Sequence, residues 1–142
     1  MTDYVATAEI DIAAPVDQVW HALTDPDSIE EYFFGAKVDT DWQPGSPIVW
    51  RGQYQGKPFE DKGEILTVED NRVLRMTHFS PLSGLEDAPE NYHTLAFTLA
   101  DSETGTRVEL SQDNNSSQDE ADGSAANWMA MLQGLKRVVE RH

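Results

Sequence analysis

Residues 117–142 read SQDEADGSAANWMAMLQGLKRVVERH, and this stretch decides the fold. Ala121, Ala125, Trp128, Leu132, Leu135 and Val139 recur at helical spacing, so they form one apolar stripe along a long helix. Ser117 and Glu120 make a capping box, in which each side chain is expected to satisfy the other's free backbone amide. Asp119, Glu120 and Asp122 open the helix, and Lys136, Arg137 and Arg141 close it, as the helix dipole favours. Gly123 and Gly134 each cost such a helix about 1 kcal/mol relative to alanine. Gly134 is therefore expected to face a close neighbour, either a strand or a ligand. A helix with this stripe needs a broad concave surface to lie against.

The chain upstream reads mostly as strands. Residues 5–12 alternate, with Ala6, Ala8, Ile10 and Ile12 on one face and Val5, Thr7, Glu9 and Asp11 on the other. Ala14-Pro15 opens a short helix carrying Val16, Val19, Trp20 and Leu23. Asp25-Pro26 caps a second, with Ile29, Tyr32 and Phe33, closed by Gly35. A strand with Val38, Thr40 and Trp42 ends at Gln43-Pro44-Gly45, and one with Ile48, Val49 and Trp50 turns at Gln55-Gly56. A longer strand runs over 59–69, with Gly63 as an expected bulge. Residues 73–79, 92–99 and 107–113 complete the set, the last two joined by a hairpin at Gly105. This is an α+β layout: a curved antiparallel sheet of six to seven strands wrapped around the C-terminal helix. A single domain over 1–142 is expected.

Composition narrows the partners. Acidic residues number 26 against 10 basic ones, for a net charge of −16. Nucleic acid and anionic membrane surfaces are poor partners, because affinity there comes from bringing cations to phosphates. The acidic surface is expected to be mainly solvating. No apolar run approaches the roughly 18 residues of a membrane span, and no basic-then-apolar signal segment opens the chain. The absence of cysteine removes disulfides and thiolate metal sites. A cytoplasmic location is expected.

Several motifs occur in a fixed order: Ile12-Ala13-Ala14-Pro15-Val16-Asp17-Gln18-Val19-Trp20, Asp41-Trp42-Gln43-Pro44-Gly45, Gly63-Glu64-Ile65, Thr106-Arg107-Val108-Glu109-Leu110, and Asn127-Trp128 with Met131-Leu132-Gln133-Gly134-Leu135-Lys136. Together with the order of elements, they resemble the START-like superfamily, also called SRPBCC or helix-grip proteins. Within it the chain is similar to the branch of the activator of the heat-shock-protein-90 ATPase. The resemblance spans essentially the whole chain. It implies an internal cavity between sheet and long helix, able to hold an apolar small molecule such as a lipid or a polyketide. Similar proteins also include cyclases and co-chaperone domains, so activity has to be argued from the site.

The strand pattern brings three polar side chains to one end of the sheet. Strands 73–79 and 92–99 pair, so His78 lies beside His93, and strand 107–113 adds Gln112 at the same end. Period-two facing places His78 with Leu74 and Met76, His93 with Phe97, and Gln112 with Leu110. All three should point inward beneath the loop 80–90, which is long for a connection between paired strands and is expected to gate the cavity. The expected ligand-binding set is His78, His93, Gln112, Trp128, Met76, Phe97, Leu132 and Trp50. Apolar walls with a few convergent polar groups describe a small-molecule pocket. The leading expectation is binding of a small hydrophobic or amphipathic molecule, without a cofactor. No metal is expected, since Asp113 and Glu90, the nearest third ligands, face away or lie in the loop. The pairs Asp39/Asp41, Glu30/Glu31 and Glu86/Asp87 read as solvated and offer no acid/base couple. The first alternative is a cyclase- or hydrolase-type enzyme using His78 or His93 as acid or base. The second is a chaperone-associated interaction domain, not expected here because co-chaperones of that branch carry an additional domain. A weak homodimer is compatible with all three.

Overall fold

Strand β1 (Tyr4–Ile12) leads into helices α1 (Val16–Thr24) and α2 (Pro26–Tyr32). Strands β2 (Lys37–Asp39), β3 (Pro47–Tyr54), β4 (Lys57–Glu69), β5 (Val73–His78), β6 (His93–Ser102) and β7 (Gly105–Asn115) follow, and α3 (Gln118–Glu140) comes last. The computed structural model describes residues 4–33, 35–54, 56–80 and 84–141. Among these, seven strands form one antiparallel sheet in the order β1-β7-β6-β5-β4-β3-β2. The chain meanders from β2 to β7, and β1 closes on β7. Helices α1 and α2 carry it from one edge of the sheet to the other.

The stripe on α3 faces inward as its spacing requires. Ala121, Trp128, Leu132, Leu135 and Val139 are buried, Ala125 is half-buried, and Met131 and Val138 widen the stripe. The sheet meets it with Ile12, Ile65, Leu74, Leu95, Val108 and Leu110, all buried. Each such side chain stabilises the fold by about 1.5–3 kcal/mol relative to exposure. Helix α3 lies closest to β1 and packs against α2 and β7. Over β3–β5 the sheet curls away, and large aromatic side chains bridge the wider space.

The C-terminal end of α3 is tied to the β1–α1 corner. Glu140 accepts the Ala13 N–H at 2.8 Å, and Lys136 Nζ donates to the Asp11 carbonyl at 2.9 Å while pairing with Glu140. The Ala13 amide, then Lys136, hold the Glu140 carboxyl below the usual carboxylate range. At the other end, Ser117 Oγ accepts the Glu120 N–H at 3.1 Å. The capping box itself is displaced: the Glu120 carboxylate takes the Ser116 amide at 2.7 Å, not that of Ser117.

Local geometry departs from expectation at three further points. The strand expected through Trp42 is only Lys37–Asp39, because Trp42 adopts a left-handed backbone (φ 61°) before the Gly45 turn. The bulge expected at Gly63 lies at Leu66: Ile65 pairs with Met76 but Thr67 with Arg75. Gly63 is required for a different reason, since a Cβ there would stand 1.8 Å from the Thr77 carbonyl oxygen. The close neighbour of Gly134 is neither strand nor ligand but α2, with the Tyr32 carbonyl oxygen 3.3 Å from where a Cβ would sit. Of the segments named from sequence, Gln55 in its turn and 81–83 in the long loop lie outside the described residues.

Candidate functional site

The wider half of the interior is built from four elements. Trp50 on β3 is register partner of Asp61 on β4, and both face inward. His78 ends β5 on the same side, placed there by alternation with Leu74 and Met76. Phe33 caps the end of α2, its amide bonded to the Ile29 carbonyl. Trp128 descends from the middle of α3.

Their rings close into a circuit. His78 meets Trp50 edge-on at 5.1 Å between centroids and Trp128 edge-on at 6.3 Å. Phe33 stacks on Trp50 at 6.1 Å and meets Trp128 edge-on at 5.8 Å. These spacings lie in the favourable range for aromatic pairs. Asp61 Oδ2 stands 2.9 Å from His78 Nε2. A carboxylate only accepts, so Nε2 carries the proton and donates it. His78 and Asp61 are each 8% exposed.

The cluster is left short of partners. His78 Nδ1, Asp61 Oδ1, Trp128 Nε1 and Gln112 Oε1 are all buried with no hydrogen-bond partner. Native interiors leave few such atoms, since each forgoes about 1–3 kcal/mol of solvation. Three of them, on His78, Asp61 and Trp128, belong to the ring cluster, and the fourth lies on β7 of the same inner face; together they mark a place prepared for polar groups of something else. Asp61 Oδ1 and Gln112 Oε1 can accept, Trp128 Nε1–H can only donate, and the bare His78 Nδ1 can accept.

The sequence-derived residues sort by position. Trp50, His78 and Trp128 come together in the ring circuit. Met76 and Gln112 sit in one row of the inner face, both paired with Leu95 (Met76 from β5, Gln112 from β7). Phe97 lies one row deeper, opposite Leu74 and Leu110, and Leu132 is fully buried one turn beyond Trp128. His93 stands opposite His78 as expected, its half-buried ring bound through Nδ1, which donates to the Asp113 carbonyl at 2.7 Å. Two members were not named for the site from sequence: Asp61 and Phe33. Two of the surface depressions lie away from the rings, one of about 420 Å³ between α1, α2 and the end of α3 and one of about 540 Å³ on the outer face of the sheet. Where the cavity was expected, the rings of Trp50, Phe33, His78 and Trp128 lie against one another, and a guest would be received among them.

The second half of the long loop is fastened to the face of β4 opposite Asp61. Lys62 pairs with Asp87, which also accepts the Tyr92 hydroxyl at 2.6 Å, and Tyr92 stacks on Phe79 at 5.1 Å. The Lys62 ammonium, then the Tyr92 hydroxyl, hold the Asp87 carboxyl below its usual range.

A curved seven-stranded antiparallel sheet gripping a long C-terminal helix, with polar groups enclosed between them, defines a helix-grip protein. The chain belongs to the family of activator of Hsp90 ATPase homolog 1-like proteins, whose model matches residues 13–140. It is similar to the solution structure of ChR145 from Cytophaga hutchinsonii, at 47% identity over 96% of this chain and 94% of that one, with a TM-score of 0.82. MLL2253 from Mesorhizobium loti is 26% identical over 96% of this chain and 97% of its own, with a TM-score of 0.76. DynU16, a protein of the dynemicin biosynthetic locus, shares the fold at 21% identity and a TM-score of 0.80; the match covers 98% of this chain and 48% of DynU16. Among curated proteins none matches.

Proposed function

We propose that the protein binds a small apolar molecule carrying oxygen functions, held between Trp50, Phe33 and Trp128 and oriented by His78, Asp61 and Gln112. The observation that carries this is the set of three buried polar atoms without partners in the ring cluster, on His78, Asp61 and Trp128, with a fourth on Gln112 of the same inner face. A merely structural core would replace such groups with apolar ones, at a gain of stability. The family fold is compatible with a ligand-binding domain, and lipids and polyketides both have the required chemistry. A cytoplasmic setting fits the cysteine-free sequence. No helix among the described residues is long and apolar enough to cross a membrane.

The test is a titration of the purified protein with 2-tetralone, a bicyclic aromatic ketone, followed by quenching of tryptophan fluorescence. Native mass spectrometry of the untreated protein runs beside it, to detect a molecule that co-purifies. Saturable binding is expected, weakened several-fold in Gln112→Leu and in His78→Phe, on the order of one lost hydrogen bond each. If the ketone does not bind and no small molecule travels with the protein, the reading fails.

A further inference from the structure

We propose that His78 and Asp61 form an acid–base dyad that enolises an apolar ketone held among the rings of Trp50, Phe33 and Trp128. The inference rests on the ligand-binding reading and adds a reaction to it. Its basis is what each atom has left to do. His78 Nε2–H is committed to Asp61 Oδ2 at 2.9 Å, which fixes the ring and leaves the Nδ1 lone pair buried and unused. A base held by a carboxylate on its far nitrogen has the arrangement used for general-base catalysis, with the carboxylate stabilising the imidazolium that forms. Trp128 Nε1–H is also buried and unused, and its ring packs 6.3 Å from that of His78. An indole N–H can only donate, so the ligand atom that meets it is an acceptor, which a carbonyl oxygen satisfies. The atom meeting Nδ1 must give up a proton, and carbon next to a carbonyl can do so.

The step balances within the site. Nδ1 takes the proton from the α-carbon, the C–H electrons become a C=C bond, and the carbonyl π pair moves onto oxygen. The enolate oxygen is stabilised by the Trp128 N–H, a preorganised donor in an apolar setting. Returning the proton from the imidazolium regenerates the ketone. His78 is the catalytic residue and Asp61 a positioning residue.

The experiment measures deuterium uptake at C1 of 2-tetralone in D2O by proton NMR, with affinity measured in parallel by fluorescence. Wild-type protein should accelerate exchange at least about 100-fold over buffer. His78→Gln should abolish the acceleration. Asp61→Asn should lower the exchange turnover by about 100-fold while weakening affinity only several-fold, and Asp61→Glu should restore part of the turnover. That split between turnover and affinity is one a structural role would not produce. The exposed His21→Gln on α1 serves as the control, with exchange at the wild-type rate. If the ketone binds to wild type but exchanges no faster than in buffer, the dyad is overturned and the binding reading stands. This arm needs no variant to fold. If the ketone does not bind, both fall together.

Discussion

Asp61 and His78 are each left with one buried polar atom unpartnered, so their pair is expensive to break and cheap to replace as a whole. Asp61→Leu removes the carboxylate that accepts the His78 Nε2–H and should destabilise by about 1–3 kcal/mol. His78→Phe leaves a carboxylate buried among rings and should cost at least as much. The double variant puts two apolar side chains in contact and should recover most of both losses. Urea unfolding of the four proteins measures this coupling; losses that simply add would show that the two side chains act independently. Half of this pair was legible in the sequence. His78 followed from strand alternation, whereas Asp61, between Glu60 and Lys62, was not singled out. The hidden factor is register. Extending the pairing seen at the β4–β5 turn (Glu69 with Val73) would set Glu64 opposite His78 and send Asp61 to the outer face. The extra residue at Leu66 shifts the ladder so that Ile65 pairs with Met76 and Lys62 bridges to Phe79. Because side chains alternate with period two, that single insertion brings Asp61 to the same side as His78.

Helix α3 was readable because a period of 3.6 over more than twenty residues is hard to imitate, and its two glycines separate propensity from packing. A Cβ at Gly123 would meet nothing within 4 Å. Gly123→Ala should therefore stabilise by about 0.5–1 kcal/mol, the full helix-propensity gain. At Gly134 the same methyl would press on the Tyr32 backbone at 3.3–3.4 Å, where α2 crosses. Gly134→Ala should gain less than Gly123→Ala or lose stability outright, since backbone cannot swing aside as a side-chain tip can. Denaturant midpoints decide it, and equal gains at both sites would mean that α2 yields freely. The N-cap supplies a third comparison. Ser117→Ala removes the acceptor for the Glu120 amide and should cost about 1 kcal/mol. Short elements were less legible than α3. Trp42 looked like a strand residue by type and spacing, but its positive φ is imposed by the turn that follows, which no local alternation reveals.

At the scale of the whole molecule, charge dominates, and it acts in opposite directions on the two sides of neutrality. The Asp87, Glu120 and Glu140 carboxyls are held below their usual range, by Lys62, by the Ser116 hydroxyl and by the Ala13 amide respectively. A carboxyl depressed in the folded state contributes stability at pH above its unfolded value of about 4. That contribution is lost as pH falls through the lower folded value. Acid should therefore weaken the loop clasp and both ends of α3. At neutral pH the opposing effect is self-repulsion. Among the described residues, Arg51, Lys62, Arg72, Arg107, Lys136 and Arg141 already sit in ion pairs. Even complete pairing would leave sixteen carboxylates with no cation to meet. Their mutual repulsion reaches across the molecule at about 10 mM salt, where the screening length is about 30 Å, and shrinks to contact range by about 1 M. The melting temperature at pH 7 should accordingly rise as sodium chloride is added from about 10 mM upward. The same titration near pH 4.3, where the net charge vanishes, should move it much less. Equal salt responses at the two pH values would assign the effect to apolar burial instead of charge, and no response at pH 7 would mean that the folded surface spaces its carboxylates as widely as the unfolded chain does.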